Sequence, residues 1–141
     1  MDRTNIWKHF RNVGGYQYFT DTHEWIEFKG SIAYAGICPF KLTGMGSIDE
    51  VMFEATDRQF CQNDVIASIA AGNYKIQVYM PVNGWVKLIN EDILAGNYNL
   101  LLEQPLSNGW IAMIVPALPN NKLDLLFQDQ YHLKQRRRQW G

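Results

Sequence analysis

Hydrophobic and polar residues alternate with a period of two over most of this chain, the spacing of half-buried β-strands. The pattern is clearest from Val65 to Val86. Val65, Ala67 and Ile69 interleave with Ile66, Ser68 and Ala70, and Ile76, Val78 and Met80 interleave with Lys75, Gln77 and Tyr79. Between the two runs stands Ala71-Gly72-Asn73-Tyr74. Gly and Asn tolerate the left-handed backbone of a tight turn better than other residues, so the spacing predicts a hairpin with its tip here. The hairpin ends at a second turn, Pro81-Val82-Asn83-Gly84. Lys75 stands just past the first tip.

The same criterion predicts strands at 16–20, 24–29, 31–37, 48–54, 86–89, 100–103 and 110–115. Residues 24–37 form a hairpin about Lys29-Gly30, and the polar stretch 57–63 reads as a turn. Pro39 to Gly46 holds one or two helical turns, with Pro39 in the first. Asn90-Glu91-Asp92 reads as a helix cap with an acidic first turn. Helical spacing occurs twice, at Ile6, Trp7, Phe10 and Val13, and at Leu123, Leu126, Phe127, Gln130 and Leu133 behind the potential caps Asn120 and Asn121. The turn vocabulary also repeats. Ala71-Gly72-Asn73-Tyr74 returns as Ala95-Gly96-Asn97-Tyr98, and Asn83-Gly84-Trp85 as Asn108-Gly109-Trp110. Either the vocabulary recurs by chance, or the chain is a small β-structure with two similar halves.

The 141 residues are 47% hydrophobic, enough for the core of one domain. The net charge of -1 gives no global attraction for polyanions. Lys134, Arg136, Arg137 and Arg138 concentrate positive charge at the end of the last helix. No basic or aromatic stripe extends that patch, so a solvated helix end is expected, and nucleic acid is the competing partner for Lys134–Arg138. Cys38 and Cys61 are too few for a disulfide framework or a four-cysteine zinc site, and free thiols fit a reducing, cytoplasmic location. No apolar run approaches the roughly 18 residues of a membrane span, so no membrane association is expected. His9, His23 and His132 lack metal spacing. Glu24, Glu27, Asp49, Glu50 and Glu54 read as surface carboxylates, with Glu50 and Glu54 on one strand face. There is no nucleophile elbow, phosphate loop or dinucleotide fingerprint. The chain does not read as an enzyme, and no small-molecule substrate is expected.

Several short motifs converge on one family. Tyr18-Phe19-Thr20-Asp21-Thr22-His23-Glu24-Trp25-Ile26 resembles an opening Y-x-x-x-H-E-W-[VI], and Gly36-Ile37 resembles G-I-T. Gly46 and Ile48 match in L-G-D-I, and Asp64 fits A-G-D. Pro81-Val82-Asn83-Gly84 fits P-V-S-G, Asn90-Glu91 fits V-N-E, and Gly109-Trp110 fits G-W-[LM]. Together these resemble the H protein of the glycine cleavage system over residues 16 to 117, with no gap from Thr22 to Glu91. The resemblance implies a mainly β fold of the lipoyl- and biotinyl-carrier hammerhead type, a barrel-sandwich hybrid with short helices. Residues 1–15 would precede that domain as a short helix, and 118–141 would follow it as a basic-ended amphipathic helix. It implies a lipoyl arm that shuttles an aminomethyl group from a pyridoxal-phosphate glycine decarboxylase to a tetrahydrofolate-dependent transferase. A flavin dihydrolipoamide dehydrogenase would then reoxidise the arm.

The resemblance breaks at its functional centre. The family's lipoyl motif E-S-V-K-A falls on Ala70, Ala71, Gly72, Asn73 and Tyr74, so Asn73 stands where the modified lysine belongs. An amide nitrogen offers no lone pair for acylation, so Asn73 cannot carry lipoate. Lys75 is the nearby amine. Two residues on, it would share a strand face with position 73 but lie about 6–7 Å further along, unless the hairpin slips and brings it to the apex. Two carrier-type readings follow. One is an H-like module without a cofactor, binding glycine-cleavage or lipoate-handling enzymes through the tip formed by Ala70, Ala71, Gly72 and Tyr74. The other is an active carrier with lipoate on Lys75.

Overall fold

The computed structural model describes residues 17–54, 56–118 and 124–140, with the side chains of 137–140 left aside. The helix expected over 1–13, and Asn120, Asn121 and Leu123, lie outside the described residues. In chain order the strands are β1 (Gln17–Phe19), β2 (Glu24–Lys29), β3 (Ile32–Ile37), β4 (Glu50–Phe53), β5 (Arg58–Phe60), β6 (Val65–Ala71), β7 (Tyr74–Tyr79), β8 (Gly84–Ile89) and β9 (Ala112–Pro116). A 3-10 turn spans Pro39–Leu42, and the α-helices are α1 (Glu91–Leu94), α2 (Asn99–Glu103) and α3 (Gln128–Trp140).

Among the described residues the strands form two sheets. One has six strands in the order β1-β2-β3-β9-β8-β5, and the other three in the order β4-β6-β7. Neighbours are antiparallel throughout. The period of two places Ala67 and Ile69 of β6, Val51 of β4 and Val78 of β7 inward. They meet Ala35, Ile37, Val86 and Ile114 of the larger sheet in one apolar cluster. Leu42, Ile93 and Leu101 close its ends, delivered by the 3-10 turn and the two short helices. Asn90 caps α1 as expected, its side chain accepting from the Asp92 N–H.

The H-E-W region is locked by packing. Trp25 is fully buried and its indole N–H donates to the Pro105 carbonyl at 2.8 Å. Gly36 lies directly opposite Trp25 across the β2–β3 ladder. A Cβ on Gly36 would stand 2.7 Å from that ring, so the glycine is a requirement of the tryptophan.

Four expectations from the pattern are corrected. Residues 58–60 form an edge strand, not a turn. Arg58 and Gln59 are exposed there while Phe60 is buried, and an edge position accepts polar side chains. Residues 100–103 lie in α2, not a strand. Leu100-Leu101-Leu102 contains no β-branched residue and favours helix once Leu101 is buried. The C-terminal helix begins at Gln128. Phe19 and Leu126 exchange two backbone hydrogen bonds at 2.7 Å, which keeps Leu126 extended. Phe127 and Leu133 are consequently exposed, and Tyr131 is the buried residue of α3 among the described side chains. The repeat does not mark two similar halves. Gly72 and Gly96 share a positive φ, but one leads into β7 and the other into α2.

Candidate functional site

The tip at Gly72 and Asn73 is a two-residue loop, with Ala71 opposite Tyr74, Ala70 opposite Lys75 and Ile69 opposite Ile76. Gly72 has φ +60° and Asn73 is not among the positive-φ residues, the pattern of a type II′ turn, with glycine first, that matches strand twist. The register is also braced from outside the hairpin. Asp49 accepts the Gly72 N–H at 2.7 Å through Oδ2, and its own N–H donates to the Ala70 carbonyl at 2.8 Å. Asn73 therefore occupies the apex, exposed, with the loop on either side of it fixed.

Lys75 lies in β7, one residue beyond the first ladder pair. Strand parity does not relate it to Asn73, because Asn73 belongs to the loop. Ala70 faces both Glu50 and Lys75 across its two ladders, so Glu50, Ala70 and Lys75 form one row on the solvent face of the smaller sheet. Glu50 and Lys75 are exposed and Ala70 is half-buried. The four tip residues thus do not share a face. Ala70 belongs to the outer face, whereas Ala71 is buried and Tyr74 projects from the inner side at 68% exposure.

The base of the hairpin is tied to the opening motif. Glu24 does not lie on the surface as its composition suggested, but is 1% exposed. It accepts from Lys41 Nζ, from the hydroxyls of Thr22 and Thr20, and from the Tyr79 N–H at 3.2 Å. Lys41 also donates to the Thr22 carbonyl at 2.9 Å and lies 4.8 Å from the centre of the Tyr79 ring. A buried carboxylate with this many donors is fully satisfied, and removing Lys41 would leave a buried charge without its counter-ion.

His23 packs against Phe40 and Tyr131, with ring centroids 4.5 and 5.7 Å away, and its Nδ1 lies 2.8 Å from the Tyr131 hydroxyl. Its φ of +70° is uncommon for a side chain of this size. Tyr131 also stacks on Phe19 at 4.9 Å and so helps to dock α3 on the opening motif. Burial there pushes the Cys38 thiol up to about 12. At the basic end of α3, Lys134 pairs with Asp21 at 3.0 Å, and Arg136 is exposed. Among the described residues, no group of three or more His, Cys, Asp or Glu side chains could hold a metal, and no helix is long and apolar enough to cross a membrane.

Asp49 braces the tip, and Glu24 with Lys41 holds the base of the hairpin. The sequence pattern read Asp49 and Glu24 as surface carboxylates and gave Lys41 no role. Their partners lie far away in sequence, so no local signal marked them. The sequence matches the family description "Glycine cleavage H-protein" over residues 17–137. The chain belongs to the glycine cleavage H-protein family. H proteins are carriers and not catalysts, and the mainly β fold of this chain is theirs. The glycine cleavage system H protein of Salinibacter ruber is 31% identical over 81% of this chain and 91% of its own length. That of Alkaliphilus oremlandii is 31% identical over 86% and 93%. The crystal structure of an H protein from Mycobacterium marinum superimposes with a TM-score of 0.75 at 16% identity, covering 86% of this chain and 98% of that one. The mainly β fold of this chain is therefore shared with that H protein.

Proposed function

We propose that this H-protein family member works by binding other proteins through its hairpin-tip surface, without a lipoyl arm at position 73. The observation that carries this reading is the braced apex occupied by Asn73. Lipoate attaches by acylation of a primary amine, and the asparagine amide has none. The rest of the carrier scaffold is kept, including the core, the Glu24 knot and the docked helix. The partners that this family suggests are cytoplasmic enzymes of glycine cleavage or lipoate handling, since the relatives carry the glycine cleavage system in their names.

One observation favours a second reading. The Lys75 side chain is exposed near the tip and shares a row with the carboxylate of Glu50. Lipoate on Lys75 would make the protein a carrier with a displaced arm. The register argues against it, because Lys75 is held in β7 opposite Ala70 and away from the apex. Intact mass of the protein from its own host, beside a Lys75→Arg variant, decides between them. An unmodified mass, in cells whose other lipoyl proteins are loaded, is the expected result. A lipoyl increment that disappears in Lys75→Arg would overturn it.

A further inference from the structure

The smaller sheet leaves β7 at its edge, with β6 as its one strand neighbour. The two-residue loop makes Ala71 and Tyr74 the first hydrogen-bonded pair, so bonding to β6 alternates from there. Tyr74, Ile76 and Val78 bond inward. Lys75, Gln77 and Tyr79 point their backbone groups outward. The Tyr79 N–H confirms this parity, since it donates away from β6 to Glu24 at 3.2 Å. Among the described residues, nothing bonds to the outward N–H and C=O groups of Lys75 and Gln77, and the Lys75 ammonium has no acidic partner. The edge is thus open for a few residues, between the tip and the carboxylate of Glu24.

A second copy does not fit this edge. Antiparallel self-pairing about Lys75 sets two ammonium groups directly opposite each other, which is destabilising. Pairing Lys75 with Gln77 of a second copy brings the tip of each chain against Tyr79 of the other. The Glu24 carboxylate already occupies that place. Pairing Gln77 with Gln77 carries the collision further, setting Lys75 itself opposite Tyr79. An unrelated extended segment escapes all three conflicts. Its best complement at the position facing Lys75 is a carboxylate, and on the inner side Tyr74 and the half-buried Ile76 offer apolar contact.

We propose that the open edge of β7 accepts a short extended segment of a partner protein as an additional strand, with an acidic side chain opposite Lys75. This rests on the reading that the module works by protein binding, and it names the kind of partner. The test uses the full-length protein, labelled with 15N and of verified mass. It is titrated with an acetylated, amidated hexapeptide alternating valine and threonine around one central glutamate, and with the same peptide carrying lysine at the centre. The glutamate peptide is expected to shift the amide signals of Lys75 and Gln77 and slow their exchange. It should bind about two- to fivefold more tightly than the lysine peptide, the size of a cross-strand charge pair. Lys75→Glu should invert that preference. Gln77→Pro removes one outward N–H without touching the β6 ladder and should weaken both peptides about tenfold. If that variant misfolds, the inversion by Lys75→Glu decides alone. Unmoved Lys75 and Gln77 amides, or an unchanged preference in Lys75→Glu, would overturn the proposal. The mass measurement tests lipoylation independently, so failure of one reading is told apart from failure of the other.

Discussion

Cys38 shows how much a single buried group contributes to the response of this protein to pH. Its thiol ionises at about 12 in the folded chain against an ordinary 9.0, with burial as the main cause and the Glu24 charge adding to it. The hydrogen bond to Tyr131 and the charge of Lys41 oppose the rise. Because the folded value is the higher one, the stabilisation is complete below the unfolded value and is lost as pH rises towards the folded one. Between pH 9 and 12 the unfolded chain has released a proton that the folded chain keeps, so stability falls by up to about 1.4 kcal/mol per pH unit. Urea unfolding across that window should show a shallower decline for Cys38→Ala than for the parent chain. Equal slopes would mean that the thiol is not held neutral by the fold. The sequence showed only two cysteines, expected as free thiols. It did not distinguish buried Cys38 from exposed Cys61, because the burial comes from Tyr131 on a distant helix.

Among the elements, the β6–β7 hairpin was legible as two strands and a Gly-Asn tip, because a period of two and the turn residues specify both, while its register was left open. Its stiffness was not legible, since the brace comes from Asp49, just ahead of β4. Register slippage, the route that would bring Lys75 to the apex, must break that hydrogen bond. Asp49→Ala should weaken the Gly72 amide by about 1 kcal/mol, seen as roughly fivefold faster hydrogen exchange at that amide. Ile69 and Val78, in the middle of the sheet, should keep their protection. If Gly72 exchanges at the same rate in both proteins, the brace is not what fixes the tip. The helices were less legible. α2 was read as a strand because a short apolar run carries no period of its own. The start of α3 was set too early because Leu126 fits a helical stripe equally well as it fits the bridge to Phe19.

For the whole molecule, the family resemblance rested on scattered glycines, prolines and the H-E-W motif, and the structure shows why those positions are informative. Gly36, Gly84 and Gly109 each leave no room for a Cβ, as Gly36 shows beneath Trp25, whereas a Cβ on Gly46 would meet nothing within 4 Å. The lipoyl lysine has no such duty. Asn73 is an exposed loop residue, so its replacement leaves the core, the two sheets and the Glu24 knot undisturbed. The proposal that position 73 lacks only the amine makes a definite prediction. Asn73→Lys, combined with Lys75→Arg so that residue 73 is the only amine at the tip, should regain a single lipoyl group in cells that modify H proteins. Peptide mapping should place it on residue 73. The acidic residue of the E-S-V-K-A motif, three residues earlier, is also absent, since Ala70 stands there. If the double variant stays unmodified and Ala70→Glu added to it restores the group, recognition by the modifying enzyme reads that acid as well as the amine. If neither variant is modified, the tip surface differs from what such enzymes accept at more than positions 70 and 73, and the proposed binding face extends beyond them.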